Sequence, residues 1–259
     1  MGYKSWTSVA HGFLLSEDAK CILVTGAARR VGAEIARHLA SAGCDIALHY
    51  RHSQDDAESL AHELRALGRR VQLLQGDLLE PDYPRQLVRQ TMAAFGRLDG
   101  IVHNASLYRP KAFAEVDLRH WQEMEGIHLH APFFLAQAAA AELRLRRGAI
   151  VHITDIYAER PLLGYLPYSV SKAALVSLTR ALAKELGPEI RVNSVAPGVV
   201  LWAETQQPAE GSRAVILDRT ALKRAGNPAD IARAVRFLLL EADYVSGQNV
   251  VVDGGRMIY

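Results

Sequence analysis

From residue 20 onward, short apolar runs alternate with longer stretches whose apolar positions recur every three or four residues. Cys21-Ile22-Leu23-Val24-Thr25 is a short run closed by Gly26 and reads as a strand buried on both faces. Beyond a glycine turn, Ile35, Leu39 and Ala42 fall at helical spacing, and Gly43 ends that helix. Further strands are expected over Asp45–Tyr50, Val71–Gly76, Leu98–His103, Ala149–Thr154, Ile190–Val195 and Asn249–Val252. Helices are expected over Ala57–Leu67, Tyr83–Phe95, Tyr168–Leu186 and Ala229–Leu240, and a long one over Leu118–Leu145 is interrupted at His128 and Pro132. This unbroken alternation at crossover spacing predicts an α/β fold, a parallel sheet with helices on both faces, in one domain over residues 20–259. Residues 199–213 carry Trp202, Pro208 and Gly211 but no clear period, as expected of a lid after a strand end. Residues 1–19 lack a convincing cleavage site and are expected to be an irregular N-terminal extension rather than a signal peptide.

Composition adds exclusions. The chain has 259 residues, 49% hydrophobic and 22% charged, enough for a sizeable core. A net charge of +2 without a long basic run argues against a nucleic-acid groove or a membrane-surface face. The apolar runs are too broken for a transmembrane helix. Cys21 and Cys44 each open a predicted strand, where disulfide geometry is poor, so two buried free thiols in a reducing cytoplasm are expected. No metal is expected.

Three stretches carry candidate chemistry. Thr25-Gly26-Ala27-Ala28-Arg29-Arg30-Val31-Gly32 lies between a strand and a helix, where helix N–H groups and the dipole favour a pyrophosphate. An ordinary strand-to-helix turn is the alternative. The second strand ends in Tyr50-Arg51-His52-Ser53, with no carboxylate before Asp55. A cation and a hydroxyl there suit a 2′-phosphate, hence NADP(H), unless Arg51 is simply solvated. Tyr168 and Lys172 stand four apart on a predicted helix, so they share a face. A nearby ammonium is expected to lower the phenol pKa toward working pH and make Tyr168 a general acid. A packed Tyr beside a solvated Lys is the bland alternative. Asp155 closes the fifth strand, and the C-terminal ends of parallel strands are where open α/β sheets place their chemistry.

Taken in order, Thr25-Gly26 with Gly32, Asp77, Asn104-Ala105, Tyr168 with Lys172, Pro197-Gly198 and Asp253-Gly254-Gly255 resemble the short-chain dehydrogenase/reductase family, over roughly residues 20–256. The resemblance implies a Rossmann-type three-layer αβα sandwich with a seven-stranded parallel sheet. It also implies hydride transfer with nicotinamide, Tyr168 as proton donor, and Lys172 holding both Tyr168 and the nicotinamide ribose. The implied cofactor site comprises Gly26, Arg29, Arg30, Val31, Gly32, Tyr50, Arg51, His52, Ser53, Asp77, Leu78, Asn104, Ala105, Ser106, Lys172, Pro197 and Gly198. A homotetramer built on the two long helices is implied too.

Departures narrow the resemblance. Most of the family has glycine at Arg30 and serine at Asp155, thirteen positions before the tyrosine. Arg30, Asp155, Leu48-His49-Tyr50, Asn104-Ala105-Ser106 and Pro161-Leu162-Leu163-Gly164-Tyr165 look like the pteridine, dihydromonapterin and dihydrofolate reductases of this family. The implied substrate is a pterin or folate, held by Arg30, Ser106, Tyr108, Asp155, Tyr168 and Trp202. His128 replaces the family's usual relay asparagine, and His103 reads as structural. Two further readings stand beside this one. One is a carbonyl or 3-oxoacyl-thioester reductase; the other is a non-catalytic NADP-binding regulator.

Overall fold

The computed structural model describes residues 19–200 and 210–259. Among these, seven strands form one parallel sheet: β1 Cys21–Val24, β2 Asp45–Tyr50, β3 Val71–Gln75, β4 Gly100–His103, β5 Ala149–Ile153, β6 Arg191–Pro197 and β7 Asn249–Val252. Their order is β3-β2-β1-β4-β5-β6-β7, with every pairing parallel. The chain runs outward from β1 to β3, then returns to the other side of β1 at β4. The crevice at the C-terminal ends of β1 and β4 is therefore the switch point where such sheets bind ligands.

The helices are α1 Arg30–Ser41, α2 Gln54–Ala66, α3 Tyr83–Phe95, α4 Leu118–Glu125, α5 Ala131–Arg146, α6 Leu166–Leu186, α7 Glu210–Asp218 and α8 Pro228–Leu240. Strand alternation divides the core in two. Ile22, Val24, Ile46 and Leu48 pack with Ile35 and Leu39 of α1, Leu64 of α2 and Val235 of α8. Leu23, Ile101 and Ile150 pack on the other face with Leu87 of α3, Leu135 and Leu143 of α5 and Leu182 of α6. Each such fully buried aliphatic side chain contributes roughly 1.5–3 kcal/mol, so the doubly covered sheet is the rigid platform of the molecule.

Most boundaries shift by one to three residues from those expected, and three differences bear on the site or its support. β4 begins at Gly100 rather than Leu98 because Asp99 is a brace. Its Oδ2 accepts the Cys21 N–H (2.8 Å), and Arg97 forks its two oxygens (2.8 and 2.7 Å). α6 begins at Leu166, two residues before Tyr168, with Pro167 in its first turn. The interruption in the long helix is a π-helical turn, Gly126–His130, between α4 and α5. His128 lies inside that turn and Pro132 in the first turn of α5. Cys21 and Cys44 are buried free thiols, as expected. Burial raises both, Cys44 to about 11.

Among the described residues, no helix is long and apolar enough to cross a membrane, and no group of three His, Cys, Asp or Glu is placed to hold a metal. Residues 1–18 and Trp202 lie outside the described residues, as does the middle of the expected lid.

Candidate active site

The turn after β1 is stitched to the end of β4. Thr25 Oγ1 accepts the backbone N–H groups of Asn104 and Ala105, both at 3.0 Å. The Asn104 amide donates back to the carbonyls of Thr25 (3.0 Å) and Gly26 (2.9 Å). Glycine is required here by close approach. A Cβ on Gly32 would stand 2.2 Å from the Gly26 carbonyl oxygen, and one on Gly26 would stand 2.9 Å from Ala105 Cα. His49, not foreseen as a fastener, closes the cradle from β2. Its Nδ1 accepts the Gly26 N–H (3.2 Å), so its Nε2 carries the proton toward the Gly76 carbonyl (3.2 Å). Burial lowers its pKa to about 4, which keeps it neutral.

α1 starts at this cradle without an acidic residue in its first turn and without a side-chain cap from Arg29. Its N-terminal N–H groups are therefore not claimed by a cap, as an anion site needs. Arg30 takes a left-handed backbone conformation, φ 55°. The family's usual glycine meets that requirement without strain; an arginine does not.

Several residues expected at the cofactor sit otherwise. Tyr50 and Leu78 are core side chains, 6% and 4% exposed, so only their backbones can serve a ligand. Arg51 pairs with Asp77, Nη2 to Oδ2 at 2.7 Å. An isolated cation for a 2′-phosphate is thus replaced by a cation shared with a carboxylate. Exposed His52 and half-buried Ser53 follow directly before α2. Val31, in the first turn of α1, packs against the core. Pro197 ends β6, and Gly198 lies so close to Asp253 that a Cβ would stand 2.7 Å from it. Asp253 in turn accepts the N–H groups of Gly255 (2.8 Å) and Met257 (2.7 Å).

The reacting groups meet at the ends of β5 and α6. Asp155 caps the short turn Ile156–Ala158, its Oδ1 accepting the Tyr157 N–H at 2.9 Å. Its Oδ2 accepts the Tyr168 hydroxyl at 2.7 Å. Lys172 is buried, donates to the Ile153 carbonyl at 2.8 Å, and lies 5.7 Å from the Tyr168 ring centroid. Burial raises the Asp155 carboxyl above its ordinary value. Burial and then the Asp155 charge hold the Tyr168 phenol well above its own. Lys172 is lowered by burial to about 8, with Asp155 working against the shift. The expectation that Lys172 lowers the Tyr168 pKa is therefore corrected. The phenol is buried against a carboxyl group, which favours its protonated form.

The π-helical turn places His128 as a bridge. The Ser171 hydroxyl donates to the Tyr168 carbonyl (2.7 Å), so it accepts from His128 Nδ1 (2.8 Å). Burial holds His128 well below its ordinary pKa, so the ring is neutral and Nε2 is an acceptor. Ser106 Oγ, 2.7 Å from Nε2, must then donate to it. Ser106 is left with acceptor lone pairs for any ligand. His103 is structural, as expected, with Nε2 on the Ile127 carbonyl at 2.9 Å. Tyr108 is 39% exposed, stacks on Tyr165 (4.4 Å, 22°) and meets Tyr168 edge-on (4.9 Å), so one of its faces is already covered.

A family model described as Enoyl-(Acyl carrier protein) reductase matches residues 26–256. The 3-oxoacyl-[acyl-carrier-protein] reductase FabG of Staphylococcus epidermidis is 32% identical, over 91% of this chain and 98% of that protein. Among solved structures, a blue fluorescent protein from a metagenomic library, in complex with NADPH, superposes with a TM-score of 0.86. It is 37% identical and covers 92% of this chain and 97% of its own. FolM alternative dihydrofolate reductase 1 from Brucella suis, in complex with NADP, also reaches 0.86, at 32% identity, over 94% of this chain and 96% of its own. The glycine cradle, the Tyr168–Lys172 pair and these matches along nearly the whole chain lead to one conclusion: the protein belongs to the short-chain dehydrogenase/reductase family.

Proposed function

We propose that the chain is an NADPH-dependent reductase of dihydropterins or dihydrofolate. The carrying observation is the Asp155 carboxyl 2.7 Å from the Tyr168 hydroxyl, where ketone-reducing relatives have a serine. NADPH, when bound, supplies the hydride. The reduced bond is a ring C=N, so a proton must reach nitrogen as carbon gains hydride. Asp155 and Tyr168 hold that proton between them, both shifted toward their protonated forms. Asp155, and Ser106 as a fixed acceptor, suit the N–H donors of a 2-aminopterin; a ketone has none. Tyr108 offers its uncovered face to the ring, and Trp202 and Arg30 complete the proposed substrate site.

For the cofactor, we place the pyrophosphate at the start of α1 with Gly26, Arg29, Arg30, Val31 and Gly32. Arg51, His52 and Ser53 meet the 2′-phosphate, with Arg51 shared with Asp77. The backbones of Tyr50 and Leu78, together with Asn104 and Ala105, line the adenine and ribose side, and Lys172 grips the nicotinamide ribose. Pro197 and Gly198 border the nicotinamide. Exposed Leu118, Phe133 and Leu145 on α4 and α5, with Leu166 and Val170 on α6, support a homotetramer. Light scattering tests it, and a monomer would overturn it.

A 3-oxoacyl-thioester reductase is the second reading, favoured by the FabG relative. NADPH oxidation with a panel of dihydropterins, dihydrofolate, acetoacetyl-CoA and simple ketones separates the two. Dihydropterin turnover well above any ketone is expected. Ketone turnover alone would transfer the assignment to the second reading.

A further inference from the structure

A cleft of about 570 Å³ opens on the turn that follows Asp155, lined in part by Tyr157, Arg160, Leu162, Arg219, Arg256 and Tyr259. Tyr157 joins it to the reacting groups, because its N–H donates to Asp155 Oδ1 (2.9 Å) while its ring lines the cleft. Two of the guanidiniums are fixed by main chain. Arg160 donates to the carbonyls of Arg256 and Met257, both at 3.1 Å, and Arg256 donates to that of Ile216 at 3.0 Å. Arg219, just past α7, is exposed. Elsewhere arginines such as Arg37, Arg51, Arg70 and Arg97 are matched to carboxylates. Among the described residues, no carboxylate is ion-paired with Arg160, Arg219 or Arg256.

Three guanidiniums that no described carboxylate matches line one cleft, and a bound anion would gain from all three. Planar guanidiniums favour carboxylates, and tyrosine rings favour a flat aromatic group. We infer that this cleft is a substrate subsite for an aromatic amide ending in carboxylates, the p-aminobenzoyl-glutamate tail of a dihydrofolate. This rests on the dihydropterin reading and deepens it: the ring is reduced between Asp155 and Tyr168 while the tail lies against the arginines. An unconjugated pterin would leave the cleft unused.

The test compares dihydrofolate with dihydrobiopterin, which lacks the tail, in the full chain with NADPH. Arg219→Gln is the chosen variant because Arg219 is exposed, and Arg219→Lys is the conservative control. The ratio of kcat/KM for dihydrofolate to that for dihydrobiopterin should fall about 10- to 100-fold in Arg219→Gln, mainly through KM, with partial recovery in Arg219→Lys. An unchanged ratio overturns the subsite while leaving pterin reduction standing. A variant effect on acetoacetyl-CoA but not on dihydrofolate overturns it as well. If the parent reduces no dihydropterin, titration calorimetry with p-aminobenzoyl-glutamate still decides. Binding that Arg219→Gln weakens upholds the subsite, and absence of binding to the parent overturns it.

Discussion

Arg30 sits where the backbone asks for glycine. Its φ of 55° costs a non-glycine residue on the order of 1–2 kcal/mol. Strain of this kind persists where the side chain is used. Arg30→Gly is therefore expected to raise stability by about 0.5–1 kcal/mol, since the relieved strain exceeds the added unfolded-state entropy of glycine. The same change should raise KM for the dihydropterin. Urea unfolding and steady-state kinetics check the pair of effects, and a stabler enzyme with unaltered KM would deny Arg30 a role. Tyr168, Lys172 and Asp155 were legible from spacing and from a strand end. Tyr50 was not, because a sheet covered on both faces gives no polar alternation to show which strand-end side chains turn inward, and Leu78 was not, because its burial depends on how the turn after β3 folds back. The Arg51–Asp77 pair was equally hidden, since it depends on how β2 and β3 lie side by side.

Among the elements, every predicted strand and helix is present; beyond shifts at their ends, α7 Glu210–Asp218 was not expected and the long helix is split by a π-helical turn. The π-helical turn was visible only as an interruption at His128, because i+5 bonding has no sequence period of its own. Its consequence is a bridge from the β4 loop to α6 through Ser106, His128 and Ser171. His128→Leu would strand two hydroxyls that now share the ring. A loss on the order of 2 kcal/mol or more in unfolding free energy is expected, with His128→Asn losing less. Chemical denaturation of the three proteins checks this; equal stability of His128→Leu and parent would mean the bridge contributes nothing.

Across the whole molecule, buried histidines set the acid limit. Burial lowers His49 to about 4 and His152 to about 3, and holds His103 and His128 well below their ordinary 6.5. The unfolded chain binds these protons near pH 6.5 and the fold refuses them. The four histidines' contribution is thus fully present above pH 6.5 and is lost as pH falls toward the folded values. Asp155, raised by burial, works in the opposite sense but is one group against four. Unfolding free energy should fall by up to about 1.4 kcal/mol per pH unit for each histidine in this window. Denaturation midpoints at pH 7.5, 6 and 5 measure it, and a flat profile would contradict the neutral, buried assignment.

In the proposed reading, Asp155, hydrogen-bonded to Tyr168, makes this family member a pterin reductase. The most direct measurement is kcat/KM of the parent and Asp155→Ser on a dihydropterin and on acetoacetyl-CoA, with the Kd for NADPH as control. The variant is expected to lose roughly 10²- to 10⁴-fold on the dihydropterin, in kcat as well as KM, while NADPH affinity stays close to that of the parent. Equal dihydropterin reduction by Asp155→Ser and the parent would mean that Asp155 takes no part in the reaction.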